Sequence, residues 1–155
     1  MSTLRIGVVS DTHGLLRPEV LPHLAGVNAI LHAGDVGNFD ILNQLAQIAP
    51  VTAIRGNIDI YGPCAQLPAT EMIEFGGITV YMVHSVHDLD IQPQAAGVRV
   101  VISGHSHKPH LEQRDGVMYL NPGSIGPRRF QLPISMAILH VEGTVPRAEF
   151  IDINR

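Results

Sequence analysis

A chain of 155 residues, 15% charged and 45% hydrophobic, has the size and composition of one globular domain, which excludes a disordered chain. Its formal net charge of −4 excludes an extended nucleic-acid surface, while a small phosphate-bearing ligand remains compatible with it. A lone cysteine, Cys64, excludes a disulfide framework and a cysteine-type zinc module, and no stretch reaches the roughly 20 apolar residues of a membrane span.

The N-terminal apolar run meets Asp11 and His13 early and lacks a signal-peptide cleavage site, so a cytoplasmic location is expected. Residues 4–10, LRIGVVS, end at DTHG and predict a strand buried on both faces. Residues 17–24 predict a helix begun by Pro18 and shortened or bent by Pro22. Residues 29–33, AILHA, predict a second strand that runs into Gly34-Asp35. Asp40 has the character of an N-cap, with Ile41, Leu42, Leu45, Ile48 and Ala49 at helical spacing behind it and Pro50 as a stop. VTAI, residues 51–54, predicts a third strand ending at Arg55-Gly56-Asn57. Alternating strands and helices of this kind signal a parallel sheet with crossover helices.

The remainder changes character. Residues 71–75 and 78–84 flank Gly76-Gly77 as a hairpin, after a loop over residues 61–68. Strands are predicted over 98–103, 117–120, 134–141 and 145–151. No repeat or linker divides the chain. The expectation is a single α/β domain over residues 1–155, with two packed sheets and helices outside.

The chain carries nine histidines, and four of them, with two aspartates and an asparagine, fall at strand ends. Asp11 and His13 follow the first strand, Asp35 the second, Asn57 the third; His84 ends the hairpin, and His105 and His107 follow the next strand. Ligands of open α/β sheets bind beyond the carboxyl ends of strands. Carboxylate, amide and imidazole donors suit first-row divalent ions, and seven exceed what one tetrahedral ion accepts. They fit two ions sharing a carboxylate.

DTHG, HAGD, RGN-x-D, a strand-final His and GHSH, in that order, resemble the calcineurin-like metallophosphoesterase superfamily. NPGSIGPRR, residues 121–129, is similar to a segment of its small bacterial and archaeal phosphodiesterases. The resemblance implies an αββα sandwich of two mixed sheets. It implies that Asp11, His13 and His107 hold one metal, that Asn57, His84 and His105 hold a second, and that Asp35 bridges them. Mn²⁺ is the expected ion, with Ni²⁺, Fe²⁺, Co²⁺ and Zn²⁺ as alternatives. The implied activity is hydrolysis of a small phosphodiester by a hydroxide that the two ions generate. A phosphomonoesterase is the alternative within that class. A non-catalytic metal-binding scaffold is the alternative outside it, since a eukaryotic retromer subunit has a similar fold with altered ligands. Exposed edge strands leave a homodimer open, and no membrane partner is expected.

Two positions depart from the pattern. Many relatives carry Gly-Asn-His-Asp or Gly-Asn-His-Glu, where the histidine is thought to protonate the leaving group; here the residue is Ile58. The common His-Gly-His is His84-Ser85-Val86-His87, which makes His87 the nearest spare imidazole for catalysis, or a solvated loop residue. Asn57 also stands where a substrate phosphate would be met. Arg128 and Arg129 suit phosphate geometry, and a solvated loop fits them equally well. His32 reads as a buried, hydrogen-bonded histidine; His23, His110 and His140 read as surface residues. Arg55 reads as loop support, Asn121 as a turn residue that also braces the site, and Cys64 as packing. Asp59 is a poor proton donor, because beside two cations it stays ionised.

Overall fold

The computed structural model describes residues 3–153. β1 (Thr3–Val9), β2 (Ala29–His32) and β3 (Val51–Ala53) run parallel. β9 (Ser135–Glu142) pairs antiparallel with β1, and β10 (Val145–Asp152) with β9, giving the order β10-β9-β1-β2-β3. The second sheet has the order β4-β5-β6-β8-β7. Its strands are β4 (Thr70–Phe75), β5 (Ile78–Val83), β6 (Val100–Ile102), β7 (His110–Arg114) and β8 (Val117–Asn121). β5, β6 and β8 are mutually parallel, and β4 and β7 close the edges antiparallel.

Side-chain alternation explains the sandwich. Ile6 and Val8 of β1 and Leu31 of β2 point inward with Val80, Met82, Val100, Ile102 and Leu120 of the other sheet, all buried. Val9 and Ile30 point outward and pack under Val20, Leu24, Ile41, Leu42 and Leu45. A strand buried on both faces needs apolar residues at every position, which is why β1 and β2 read as continuous runs rather than alternating ones. Gly7 faces the packed helical turn: a Cβ there would run into Leu24 Cδ2.

Helical cover is sparse. α1 (Asp40–Ala46) is the α-helix among the described residues; residues 18–24, 62–66 and 86–88 are 3₁₀ turns. Pro22 sits inside the first of these and denies it an α-helical hydrogen-bond ladder. Asp40 is not the cap. Phe39 holds that position and makes no side-chain cap bond, while Asn38 Oδ1 accepts from the Asp40 N–H at 3.0 Å. Asp40 lies in the first turn, where its charge suits the helix dipole and its Oδ2 accepts from Gln44 Nε2. Among the described residues no helix is long and apolar enough to cross a membrane.

The parallel strands β1, β2 and β3, and β5, β6 and β8, bring their carboxyl ends to one rim of the sandwich. All seven expected ligands leave the chain there.

Candidate metal centre

Two clusters of donor atoms form at this rim. Asp11, His13 and His107 make one; Asp35, His84 and His105 make the other, with each cluster's ligand atoms within 4.8 Å of one another. The His13 and His107 rings are 5.2 Å apart, as are those of His84 and His105. The first cluster is the deeper: Asp11 is 0% and His107 3% exposed, whereas His105 and Asn57 face solvent.

Each carboxylate has one oxygen fixed by the protein and one presented to the site. Asp11 Oδ2 accepts from Ser10 Oγ (2.7 Å) and the His105 N–H (3.1 Å). Its Oδ1 is buried without a hydrogen bond, 3.5 Å from His107 Nε2 and 3.8 Å from His13 Nε2. Asp35 Oδ1 accepts from the Ile58 N–H at 3.0 Å. Its Oδ2 lies between the clusters, 3.4 Å from His13 Nε2 and 3.2 Å from His84 Nε2. That is the location a bridging ligand needs.

His84 shows how the imidazoles are aimed. Its Nδ1 lies 2.7 Å from the Ala33 carbonyl, which can only accept, so Nδ1 carries the proton. Nε2 then turns its lone pair toward the Asp35 carboxylate. Burial lowers the His84 pKa, but the Asp35 hydrogen bond, the Ala33 carbonyl and the charges of Asp35 and Asp11 outweigh it, and the net shift is upward. Burial raises Asp35, but the His84 and Ile58 hydrogen bonds and the charges of His84 and His13 bring it down to about 2. His107 is lowered by burial, against the charge of Asp11, with Arg129 and His13 adding to the fall.

The donor set fits a cation. Asp11 Oδ1 and His13 Nε2 are buried polar atoms without hydrogen-bond partners. The Asn57 amide turns its oxygen toward Asp35 Oδ1, Asp35 Oδ2 and His84 Nε2, each 3.2 Å away; only a rotated amide would hydrogen-bond to them. Lone pairs converging in this way repel one another unless positive charge lies between them. Buried polar groups are otherwise paired as a rule.

The backbone is strained at the same places. Among the described residues seven non-glycine residues have positive φ, and five are Asp11, His13, Asp35, His105 and His107. Such conformations cost about 1 kcal/mol or more each and cluster at functional sites. Loop-to-loop hydrogen bonds hold them: His13 N–H to the Asp35 carbonyl (2.9 Å) and Gly104 N–H to the His84 carbonyl (2.9 Å). Two glycines allow the close approach. A Cβ on Gly56 would collide with Asp35 Oδ1, and one on Gly104 with Ser10 Oγ.

The other expectations divide. His32 is buried, donates from Nε2 to Thr12 Oγ1 (3.0 Å) and accepts from the Gly34 N–H at Nδ1 (3.1 Å). It is a loop brace rather than a ligand. Asn121 Nδ2 donates to the Gly104 carbonyl (2.9 Å) and Ser106 Oγ (3.1 Å), bracing the GHSH loop. Arg55 Nη1 donates to the Leu67 carbonyl at 2.7 Å. His110 and His140 pair with the surface acids Glu112 and Glu149. His87 is exposed in the turn over residues 86–88 and stands outside both clusters, in grooves shared with His105. Of the two arginines, Arg129 acts on the site through its charge on His107.

Three supports were not anticipated. Asp59 is buried, and its carboxylate accepts from the N–H groups of Val36 (3.1 Å), Gly37 (3.0 Å) and Gly56 (2.8 Å), tying the second and third loops together. Ser10 holds Asp11 Oδ2, and Ser124 Oγ donates to the Asp11 carbonyl at 3.0 Å. The Asp of RGN-x-D was visible as part of a motif, but its acceptor role depends on loops more than 20 residues apart.

Residues 4–144 match the family model described as the calcineurin-like phosphoesterase superfamily domain. A probable metallophosphoesterase of Methanothermobacter thermautotrophicus is 34% identical over 159 residues, covering 94% of this chain and 91% of its own. A phosphodiesterase of Methanocaldococcus jannaschii is 25% identical over 141 residues, covering 77% of this chain and 83% of its own. Among solved structures, Vps29 of Entamoeba histolytica complexed with Zn²⁺ superposes with a TM-score of 0.75 at 21% identity, covering 97% of this chain and 100% of its own.

Proposed function

The chain belongs to the calcineurin-like phosphoesterase superfamily, and we propose that within it the protein is a phosphodiesterase working with two divalent ions on a small phosphodiester. The observation that carries this reading is Asp35 Oδ2, placed between His13 of one cluster and His84 of the other, with competent side chains at all seven ligand positions. The M. jannaschii phosphodiesterase, a relative over most of the chain, supports diester rather than monoester chemistry.

In this reading Asp11, His13 and His107 hold the first ion, Asn57, His84 and His105 the second, and Asp35 both. When bound, such a pair supplies Lewis-acid polarisation of the phosphoryl group and a water made acidic enough to attack near neutral pH. The chain's own contribution is positioning. Ser10 and the Ile58 N–H fix one oxygen of each carboxylate, and Ala33 fixes the His84 tautomer. Asn57 adds an oxygen without adding negative charge, so an anionic phosphoryl group meets less repulsion. Arg129, on the His107 side, adds positive charge there. His87, exposed in the grooves beside His105, is a spare imidazole next to the second cluster, and its part in protonating the leaving group is left to experiment.

A non-catalytic scaffold of the same fold is the competing reading. Metal content of the purified protein, together with hydrolysis of a bis-aryl phosphate with added Mn²⁺, separates the two. Two equivalents of metal with turnover are expected; two equivalents of metal without turnover on any phosphoric ester would favour the scaffold. Mn²⁺ is the proposed native ion, and comparison of turnover across Mn²⁺, Ni²⁺, Fe²⁺, Co²⁺ and Zn²⁺ tests it.

A further inference from the structure

Two grooves meet at Ser85, His87 and His105, beside the second ligand cluster. One, of about 530 Å³, runs between the Asn57 loop and the segment after β5. The other, of about 590 Å³, runs outward over β7 and β8. Both lie within the roughly 300–1,000 Å³ range of small-molecule sites. Their charges are opposite. Arg55 against Asp88 and Asp90 leaves the first at −1; Lys108 and Arg114 against Glu112 leave the second at +1, with histidines neutral.

The positive groove is ordered by strand geometry. His110, Glu112 and Arg114 alternate along β7, so their side chains share one face. Glu112 is opposite Tyr119 of β8, and the Arg114 guanidinium lies 4.5 Å from the centre of the Tyr119 ring with its Nε 3.8 Å from Glu112 Oε2. A guanidinium seated on a ring loses little further freedom when it meets an anion. Lys108 directly follows the ligand His107 and is the chain's only lysine. No carboxylate among the described residues forms an ion pair with it. A protein of net charge −4 thus places its lysine at the mouth of a groove that opens on the candidate metal centre.

The geometry points to a second phosphate subsite in this groove, which selects diesters having a further phosphate on one of their two alcohol arms and sets the direction in which they lie across the metal centre. The acidic groove takes the arm without it. This inference rests on the phosphodiesterase reading and names its substrate class.

The test uses three dinucleotide diesters that differ only in a terminal phosphate: on one end, on the other end, and on neither. With Mn²⁺ present, a terminal phosphate on one end is expected to raise kcat/KM roughly tenfold or more, mainly through KM. That ratio is expected to fall toward one in Lys108→Gln and in Arg114→Gln, each ratio being taken within one variant. Amine modification of Lys108, followed by peptide mass spectrometry, reads binding without turnover. The favoured phosphorylated dinucleotide is expected to slow modification more than the unphosphorylated one. If none of the three is hydrolysed, the phosphodiesterase reading fails, and the subsite is judged on Lys108 protection alone. Equal kcat/KM for all three, an advantage that survives both substitutions, or equal protection overturns the subsite.

Discussion

His84 Nε2 lies 3.2 Å from Asp35 Oδ2 while its other nitrogen is tied to the Ala33 carbonyl at 2.7 Å. Without metal, a proton fits between Nε2 and the carboxylate, and the His84 pKa is raised above its ordinary 6.5, burial notwithstanding. With metal, that proton must leave. Metal affinity is therefore expected to fall as the pH drops through the raised His84 value, beginning above pH 6.5. Calorimetric titration of metal-free protein at a series of pH values reads this directly. Affinity unchanged from pH 8 to pH 6 would show that His84 is not a ligand.

Asp35 Oδ2 lies between His13 of one cluster and His84 of the other, so on the proposed two-ion reading Asp35→Asn is expected to lose metal content and turnover together. His107→Ala removes a donor from the buried cluster alone. It is expected to weaken one of two metal equivalents by more than about 10²-fold, with the apolar core unaltered. Elemental analysis after dialysis, beside phosphodiester turnover, checks both. Near-normal metal and turnover in both variants would remove this site assignment.

Three backbone N–H groups of the second and third loops converge on the buried Asp59 carboxylate. Truncation leaves donors unpaired, at about 1–3 kcal/mol for each one that stays buried. Asp59→Ala is expected to lower stability and also to cost about 10–100-fold in metal affinity. Asp59→Asn, whose single carbonyl oxygen accepts less well, should fall between. Thermal unfolding with and without metal measures both effects; a stability loss with unchanged metal affinity would confine Asp59 to the scaffold.

Much of this was legible because strand ends carry the motifs. The residues at Asp11, Asp35, Asn57, His84, His105 and His107 stand next to apolar runs, and the order of the runs placed them on one rim. What could not be read depends on contacts distant in sequence. β7 has the residues HLEQR, all exposed, and offers no alternation of apolar and polar residues; it forms because it adds to the edge of β8. Asp40 has a good capping side chain, but Asn38 and Phe39 start the turn one residue earlier. The left-handed backbone at five of the candidate ligands is hinted at by an adjoining glycine at His13, Asp35 and His105 and by nothing local at Asp11 and His107.

His32 gives a stability signature independent of turnover. Burial brings its pKa from 6.5 down to about 4, against the opposing charges of Asp11 and Asp59. The unfolded chain therefore binds more protons than the folded one between those values. This contribution is fully present above pH 6.5 and is lost as the pH falls toward 4, on the order of 3 kcal/mol in all. His32→Gln keeps a donor and an acceptor but does not titrate. Denaturant unfolding of metal-free protein should show a steeper stability loss over pH 6.5 to 4 in the wild type than in this variant. Parallel slopes would mean that His32 is protonated in the folded state.

The last prediction concerns the proton that the leaving group needs. A nitrophenoxide departs readily unprotonated; an alkoxide does not, and a positioned general acid contributes about 10²–10⁴-fold. Ile58 supplies its backbone N–H to Asp35 Oδ1, while its side chain, 39% exposed, has no proton to give. Asp59 is turned away, its carboxylate occupied by three backbone donors. His87 is the remaining imidazole at the groove mouth. Wild-type turnover is therefore expected to depend steeply on the leaving group, with activated aryl diesters fast and alkyl diesters slow. Ile58→His should raise turnover of the alkyl esters more than that of the aryl esters, and bring in monoesterase activity. His87→Ala should slow alkyl esters further if His87 already donates. A series of diesters spanning leaving-group pKa, run on wild type and both variants, gives the slopes. A flat series in the wild type that stays flat in His87→Ala would mean that another acid serves the site and that Ile58 leaves no gap to fill.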